Sequence, residues 1–235
     1  THIVPALYLW WRHPTSRFPA LMLLLALSFG AYGAVAVDGP WPYLVGRVGT
    51  FVALPIGLYA FLAFPSGRLV GRGSIMVIAA ATVVGVAGWL VLSLASPVIA
   101  TTIPSLSCGA DCPASPIALG DPGAEEIPTR VVFTLACVVI LWAVGLLFRR
   151  VRLAAPGLRP ATALVAVTAG LNGLLVCVFL LNEAFSGTAL PGWFITILGV
   201  TRLGLPIAIT VAVMLDQGQS TRALRTLLDS IAPGN

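Results

Sequence analysis

The sequence predicts an all-α integral membrane protein, a bundle of about seven transmembrane helices with its C-terminus in the cytoplasm. Three observations carry this prediction. Hydrophobic residues make up 58% of the chain and charged residues 9%, against roughly 25% charged in a soluble domain, and mean hydropathy is +1.00. The apolar residues fall into runs close to the span of about 20 residues that a bilayer demands. Arginine and acidic residues alternate between successive turns. So few charges cannot coat a globule in water, so lipid is the expected solvent for most of the surface.

The first apolar run, Thr1 to Trp11, is half a span. At 1.5 Å per residue it covers about 16 Å of a hydrocarbon core about 30 Å thick, so the first helix is expected to be truncated and completed by residues upstream. Six further runs follow: Phe18–Val37, Trp41–Phe64, Ile75–Ile99, Thr129–Phe148, Ala161–Asn182 and Trp193–Leu215. They are apolar on all faces and lack the period-two alternation of a membrane β-barrel. Residues 1–215 are therefore read as a transmembrane bundle with one long outer loop, 100–128. Residues 216–235 are read as a linker helix and tail.

Orientation follows from the arginines. Arg12 and Arg17 lie in the first turn, Arg68 and Arg72 in the third, and Arg149, Arg150, Arg152 and Arg159 in the fifth; Arg222 and Arg225 follow the last run. The intervening turns carry Asp38, then Asp111, Asp121, Glu125 and Glu126, then Glu183. Only Arg130 departs from the alternation, and it is expected to snorkel to headgroups. Positive loops stay in the cytoplasm, which places the N-terminus outside. Trp10 and Trp11 at an inner boundary, and Trp41, Tyr43 and Trp193 at outer ones, suit interfacial anchors. Glycines inside the runs (Gly30 and Gly33, Gly85 and Gly88, Gly170 and Gly173) allow helices to approach closely.

The outer loop contains Cys108-Gly-Ala-Asp-Cys112. Outside the cell, a disulfide between them is the leading reading; a metal pair is the alternative, but two thiolates leave a zinc site half filled. Cys137 and Cys177 lie within spans and read as small apolar packing residues.

Arg202 falls about 13 Å along the last span from Trp193, close to the midplane. A charge there costs at least about 2.5 kcal/mol and should face the bundle interior. Asn172, midway along the sixth run, is its best polar neighbour. Pro206, four residues on, removes the amide that would bond the Arg202 carbonyl, so a kink and a free carbonyl are expected. Two readings of Arg202 stand. It fixes helix packing through carbonyls, Asn172 and water, or it lines a polar pocket whose occupancy changes the tilt of the last helix. Arg47, about 9 Å below the outer interface, is read either as an ion pair with Asp38, Glu125, Glu126 or Glu183, or as part of an outer ligand site.

Several functions find no residues. Without lysine there is no retinal Schiff base, and His2 and His13 form no intramembrane haem pair. HExxH, GxSxG, a Walker loop and paired GxGD aspartates are absent. No catalytic site, cofactor, metal site or nucleic-acid partner is expected; the basic net charge of +5 sits in membrane turns.

Four segments carry a family resemblance. Trp11-Arg-His-Pro-Thr-Ser-Arg-Phe18 resembles the RRPxNRxG turn of actinobacterial sensor histidine kinases with multi-helix N-terminal membrane regions. Leu62-Ala-Phe64-Pro65-Ser66-Gly67-Arg68-Leu69 resembles their LxFPxGRL signature at the inner end of the third helix. Cys108-Gly-Ala-Asp-Cys112-Pro-Ala-Ser-Pro116 is similar to their CxxCPxNP outer loop. Arg202-Leu-Gly-Leu-Pro-Ile207 resembles the LLP stretch before the signalling linker. Ser115 stands where the family has asparagine, and the tail after Leu215 lacks the usual arginine- and alanine-rich linker. For Phe64–Leu69 the plainer reading is helix termination, which Pro65 and Gly67 would impose on any helix.

The resemblance implies the membrane input region of a two-component kinase in a bacterial plasma membrane. It implies a homodimer, with kinase domains beyond Asn235 and a response regulator as partners. Leu224, Leu227, Leu228 and Ile231 recur at helical spacing in the tail, as a coiled-coil stripe or as the apolar face of a helix on the inner leaflet. The alternative function is a small transporter or an accessory subunit of a membrane complex. That reading needs broken helices, for which Pro55 and Pro206 offer places.

Overall fold

The computed structural model of the chain describes residues 3–12, 17–31, 33–34, 37, 39–97, 113–121, 123–186 and 188–231, with the backbone alone at 5, 12 and 216–231. Among the described residues lie seven α-helices and no strand: α1 (Ile3–Arg12), α2 (Phe18–Ala31), α3 (Pro40–Ala63), α4 (Arg72–Ala95), α5 (Glu126–Leu153), α6 (Arg159–Phe185) and α7 (Gly192–Ile231). Cys108 and Cys112, with the expected disulfide, lie outside the described residues, as do Asp38, His2 and His13. The same holds for the side chains of Arg222, Arg225, Leu224, Leu227, Leu228 and Ile231.

Five helices, α3 to α7, are long and apolar enough to cross a membrane. The other two are shorter, α1 with 10 residues and α2 with 14. The expected second span, Phe18–Val37, therefore stops at Ala31. Helical glycine costs about 1 kcal/mol against alanine, and Gly30 and Gly33 flank the stop. Beyond it Gly33 and Ala34 form a 3₁₀ turn, and the Val37 N–H donates to the Ala34 carbonyl at 3.2 Å. As a helix α2 covers about 21 Å, short of a core about 30 Å thick.

Less than half of each spanning stretch is buried inside the protein, from 28% in α4 to 44% in α3, α5 and α6. The outward side chains are nevertheless valines, leucines and isoleucines such as Val83, Leu174 and Val200. Such a surface is far larger than the apolar patches water tolerates; it is satisfied by lipid.

Each helix packs chiefly on its neighbours in sequence, α1 also touches α7, and α3 reaches α5 and α6 across the middle. Two cores result. One, around Phe61, Leu62, Val77, Leu147, Val165 and Ala212, lies toward the arginine-bearing turns. The other, around Tyr43, Leu92, Phe133, Phe179 and Phe194, lies toward the acid-bearing ones. Glycines bring the middle helices together. A Cβ on Gly85 would lie 2.8 Å from the Phe51 carbonyl oxygen, and one on Gly88 2.6 Å from Val132 Cγ1. Gly173 sits equally tightly against Ile140, with 3.0 Å to its Cγ2. No such approach is seen at Gly30 and Gly33, where no atom of the described residues lies within 4 Å of the Cβ positions.

Candidate functional site

The interior polar residues singled out from the sequence meet in one place. Asn172 on α6 and Arg202 on α7 both line a cavity of about 160 Å³ between the helices. Its walls are otherwise almost wholly apolar, with Leu25, Phe29, Phe61, Phe133 and Val144 among them. The side-chain oxygen Oδ1 of Asn172 is buried and has no hydrogen-bond partner among the described residues. Arg202 therefore does not donate to that oxygen, and the expected direct bond between the two is not made through it. Asn172 is at the middle of α6, and Arg202 is near the middle of the apolar stretch Gly192–Leu215 of α7. Asn172 is about 20 Å from either end of α6, and Arg202 about 15 Å from the start of α7. An apolar cavity with a few convergent polar groups is the usual form of a small-molecule site.

α7 runs unbroken from Gly192 to Ile231, 40 residues, with Pro206 inside it. The proline ring is buried beside Leu205, and its carbonyl accepts from Thr210 Oγ1 at 2.8 Å. α3 likewise passes through Pro55 without a break.

A second cluster joins the turns that carry arginine. α3 ends at Ala63, and Phe64 turns into extended backbone at φ −63°, ψ 140°. Gly67 has φ +72°, which L side chains rarely adopt, and its N–H donates to the Ala63 carbonyl at 2.8 Å. A Cβ on Gly67 would lie 2.9 Å from the backbone nitrogen of Phe18, and the rings of Phe18 and Phe64 meet edge to face at 5.7 Å. Arg17 and Phe18 at the start of α2 are thus in contact with Phe64 and Gly67 at the end of α3. Leu69 packs on the core and Arg68 is exposed.

Arg150 of α5 fastens this turn. Its Nη1 donates to the Leu62 carbonyl, and its Nη2 donates to the Val70 carbonyl at 3.0 Å and to Ser74 Oγ at 2.9 Å. Arg159 closes the end of α5 in the same way, donating to the Ala154 carbonyl at 3.1 Å and to that of Arg152 at 3.3 Å. Carbonyls at helix C-termini have no partner of their own and carry partial negative charge, so guanidinium groups suit them. Sequence reading used Arg150 only to orient the chain. Its partners lie 76 to 88 residues away, and no local signal announces them.

At the opposite end, Arg47 is 1% exposed. Its Nη2 donates to Tyr43 Oη at 2.9 Å, and its guanidinium carbon lies 4.8 Å from the centre of that ring. Two of the carboxylates expected for it are engaged elsewhere. Glu126 pairs with Arg130 at 2.6 Å, and Glu125 Oε2 accepts from the Gly123 N–H at 2.9 Å. Arg130 is tied rather than snorkelling: its Nε also donates to the Ala184 carbonyl at 3.2 Å. Ser115 is buried, and its N–H donates to the Pro97 carbonyl at 2.6 Å. Its hydroxyl donates to the Ser93 carbonyl at 3.1 Å.

Cys137 and Cys177 face one another across α5 and α6. Each thiol points at the other's carbonyl, at 3.7 and 3.8 Å, a weak contact added to their packing role. Among the described residues, no three of His, Cys, Asp and Glu gather as a metal site. Comparison with family models, with curated proteins and with solved structures finds no match.

Proposed function

We propose that this chain is the membrane input region of a signal-transducing histidine kinase, and that it relays a stimulus arising in or near the bilayer through α7 to a kinase core outside the chain. In this reading the arginine-bearing turns face the cytoplasm, the acid-bearing ones face outward, and α1 and α2 belong to a seven-helix membrane bundle. The membrane is a bacterial plasma membrane. A second copy of the chain, the kinase domains and a response regulator are the partners.

One observation carries the reading. A single unbroken helix of 40 residues holds Arg202 at the interior cavity and continues well past the apolar stretch that ends at Leu215. A change in tilt or rotation at the cavity is transmitted along such a rod to its far end. The unbroken course of α3 and α7 through Pro55 and Pro206 gives no support to a transporter built on broken helices.

The test is Arg202→Leu in the full gene, with the output of its response regulator as readout. Signalling should be abolished while the protein remains inserted and folded. Unchanged signalling would remove Arg202 from the relay.

A further inference from the structure

The cavity lined by residues of α2 to α7 combines three properties. It measures about 160 Å³, close to the roughly 150 Å³ of an engineered apolar cavity that encloses benzene. Its walls are leucine, phenylalanine, valine and alanine. The polar groups on its lining include one cation, Arg202, and the amide of Asn172, whose buried Oδ1 lacks a hydrogen-bond partner among the described residues.

We propose that this cavity binds a medium-chain lipophilic carboxylic acid, its carboxyl group between Arg202 and Asn172 and its first six to eight or so carbons among the apolar walls. A guanidinium presents five N–H donors in a planar fork that matches a carboxylate, so it takes an added partner without giving up those it has. A cation near the middle of a bilayer gains most from a neutralising anion, since the surroundings screen little. The amide fits both forms of the acid. Its oxygen accepts from a protonated carboxyl, and after a half-turn its nitrogen donates to a carboxylate. A neutral hydrocarbon leaves the Asn172 oxygen unserved, and an acid of this length meets the polar and apolar lining together. The volume sets how much of the chain lies between the walls.

The proposal deepens the sensory reading by naming the ligand class, and its test needs no kinase. The whole chain in nanodiscs of zwitterionic lipid is photolabelled with a diazirine derivative of octanoic acid, and labelled residues are mapped by mass spectrometry. Labelling is expected on cavity-lining residues, with octanoate competing at least ten-fold better than methyl octanoate or octanol. Arg202→Leu should weaken labelling at least ten-fold. Gly57→Leu should abolish it, because the Gly57 Cβ position on the cavity wall has Leu25 Cδ1 at 3.8 Å and hence room for a side chain that fills the space. If Arg202→Leu fails to fold, Arg202→Lys, which keeps the charge and loses the fork, should label at an intermediate level.

Equal competition by acid and ester overturns the proposal, as does labelling confined to the lipid-facing surface or unchanged by Gly57→Leu. A chain that binds octanoate but whose signalling ignores Arg202 would retain the site and lose the sensory reading. Signalling that depends on Arg202 without octanoate binding would do the reverse.

Discussion

The C-termini of α3 and α4 solve the same problem with different chemistry. Every helix C-terminus leaves carbonyls without partners. At the arginine-bearing end Arg150 reaches from α5 to the Leu62 carbonyl of α3, and Arg159 turns back to Arg152 and Ala154 at the end of α5. At the acid-bearing end the carbonyls of α4 are taken by the chain that follows it. The N–H groups of Leu119 and Gly120 both donate to Leu94, at 2.9 and 3.2 Å, and Ser115 serves Ser93 and Pro97. The approach is so close that a Cβ on Gly120 would fall 2.0 Å from the Ala95 oxygen. Arg150 joins helices remote in sequence into a frame; the chain after α4 seals one helix end locally. An input module needs such a frame if one rod, α7, is to move against it.

The largest expected effect concerns which side each end faces. A membrane-impermeant maleimide should label Cys108 and Cys112 in intact cells after mild reduction, whereas an Arg68→Cys probe should react only after lysis. The effect is all or none, and the opposite result would invert the assignment of the two ends while leaving their chemistry intact. Next comes the frame itself. Arg150→Leu removes three hydrogen bonds from a charged donor and leaves the Leu62 carbonyl without the guanidinium, while Val70 keeps the Ser74 hydroxyl, for a loss of about 2–3 kcal/mol. Thermal unfolding in detergent should show a clear fall in midpoint. A shift no larger than that of an exposed control such as Arg152→Leu would show that the guanidinium is not what holds the end together.

Gly67→Ala tests the same frame from the other side. The residue sits at φ +72°, where an L side chain costs about 1–2 kcal/mol, and its new methyl would press on the Phe18 nitrogen. A destabilisation of about 2 kcal/mol is expected, together with faster amide exchange at Phe18 and Leu21. An ordinary helix-terminating glycine without that neighbour would disturb exchange only in its own turn, so the pattern of exchange separates the two readings of this segment.

Some of this was legible beforehand. The five long spans follow from hydropathy, because lipid demands apolar length and little else. The close approaches at Gly85, Gly88, Gly170 and Gly173 follow from small residues inside spans; Gly170 meets the Phe148 ring at 3.2 Å. The meeting of Asn172 and Arg202 at one cavity follows from the cost of polarity at depth, which drives both inward. The end of α2 was misjudged because hydropathy does not weigh the backbone cost of Gly30 and Gly33. The reach of Arg150 was invisible because it depends on which helices become neighbours, and alternation of charge reports only the side of the membrane.

The smallest effect expected is at Ser115, the position where the family it resembles carries asparagine. Its hydroxyl donates to the Ser93 carbonyl inside a buried turn, and Ser115→Ala leaves that acceptor unserved at a cost of about 1 kcal/mol. Ser115→Asn supplies an amide N–H in place of the hydroxyl and should be close to neutral. The N–H of residue 115 still donates to Pro97 in every variant, so the turn loosens without detaching. Hydrogen exchange across 115–120 is the sensitive readout: faster in Ser115→Ala, unchanged in Ser115→Asn. If both variants matched the parent, the side chain would be idle and the seal on α4 would rest on backbone amides alone, which would deepen the contrast with an opposite end fastened by a side chain.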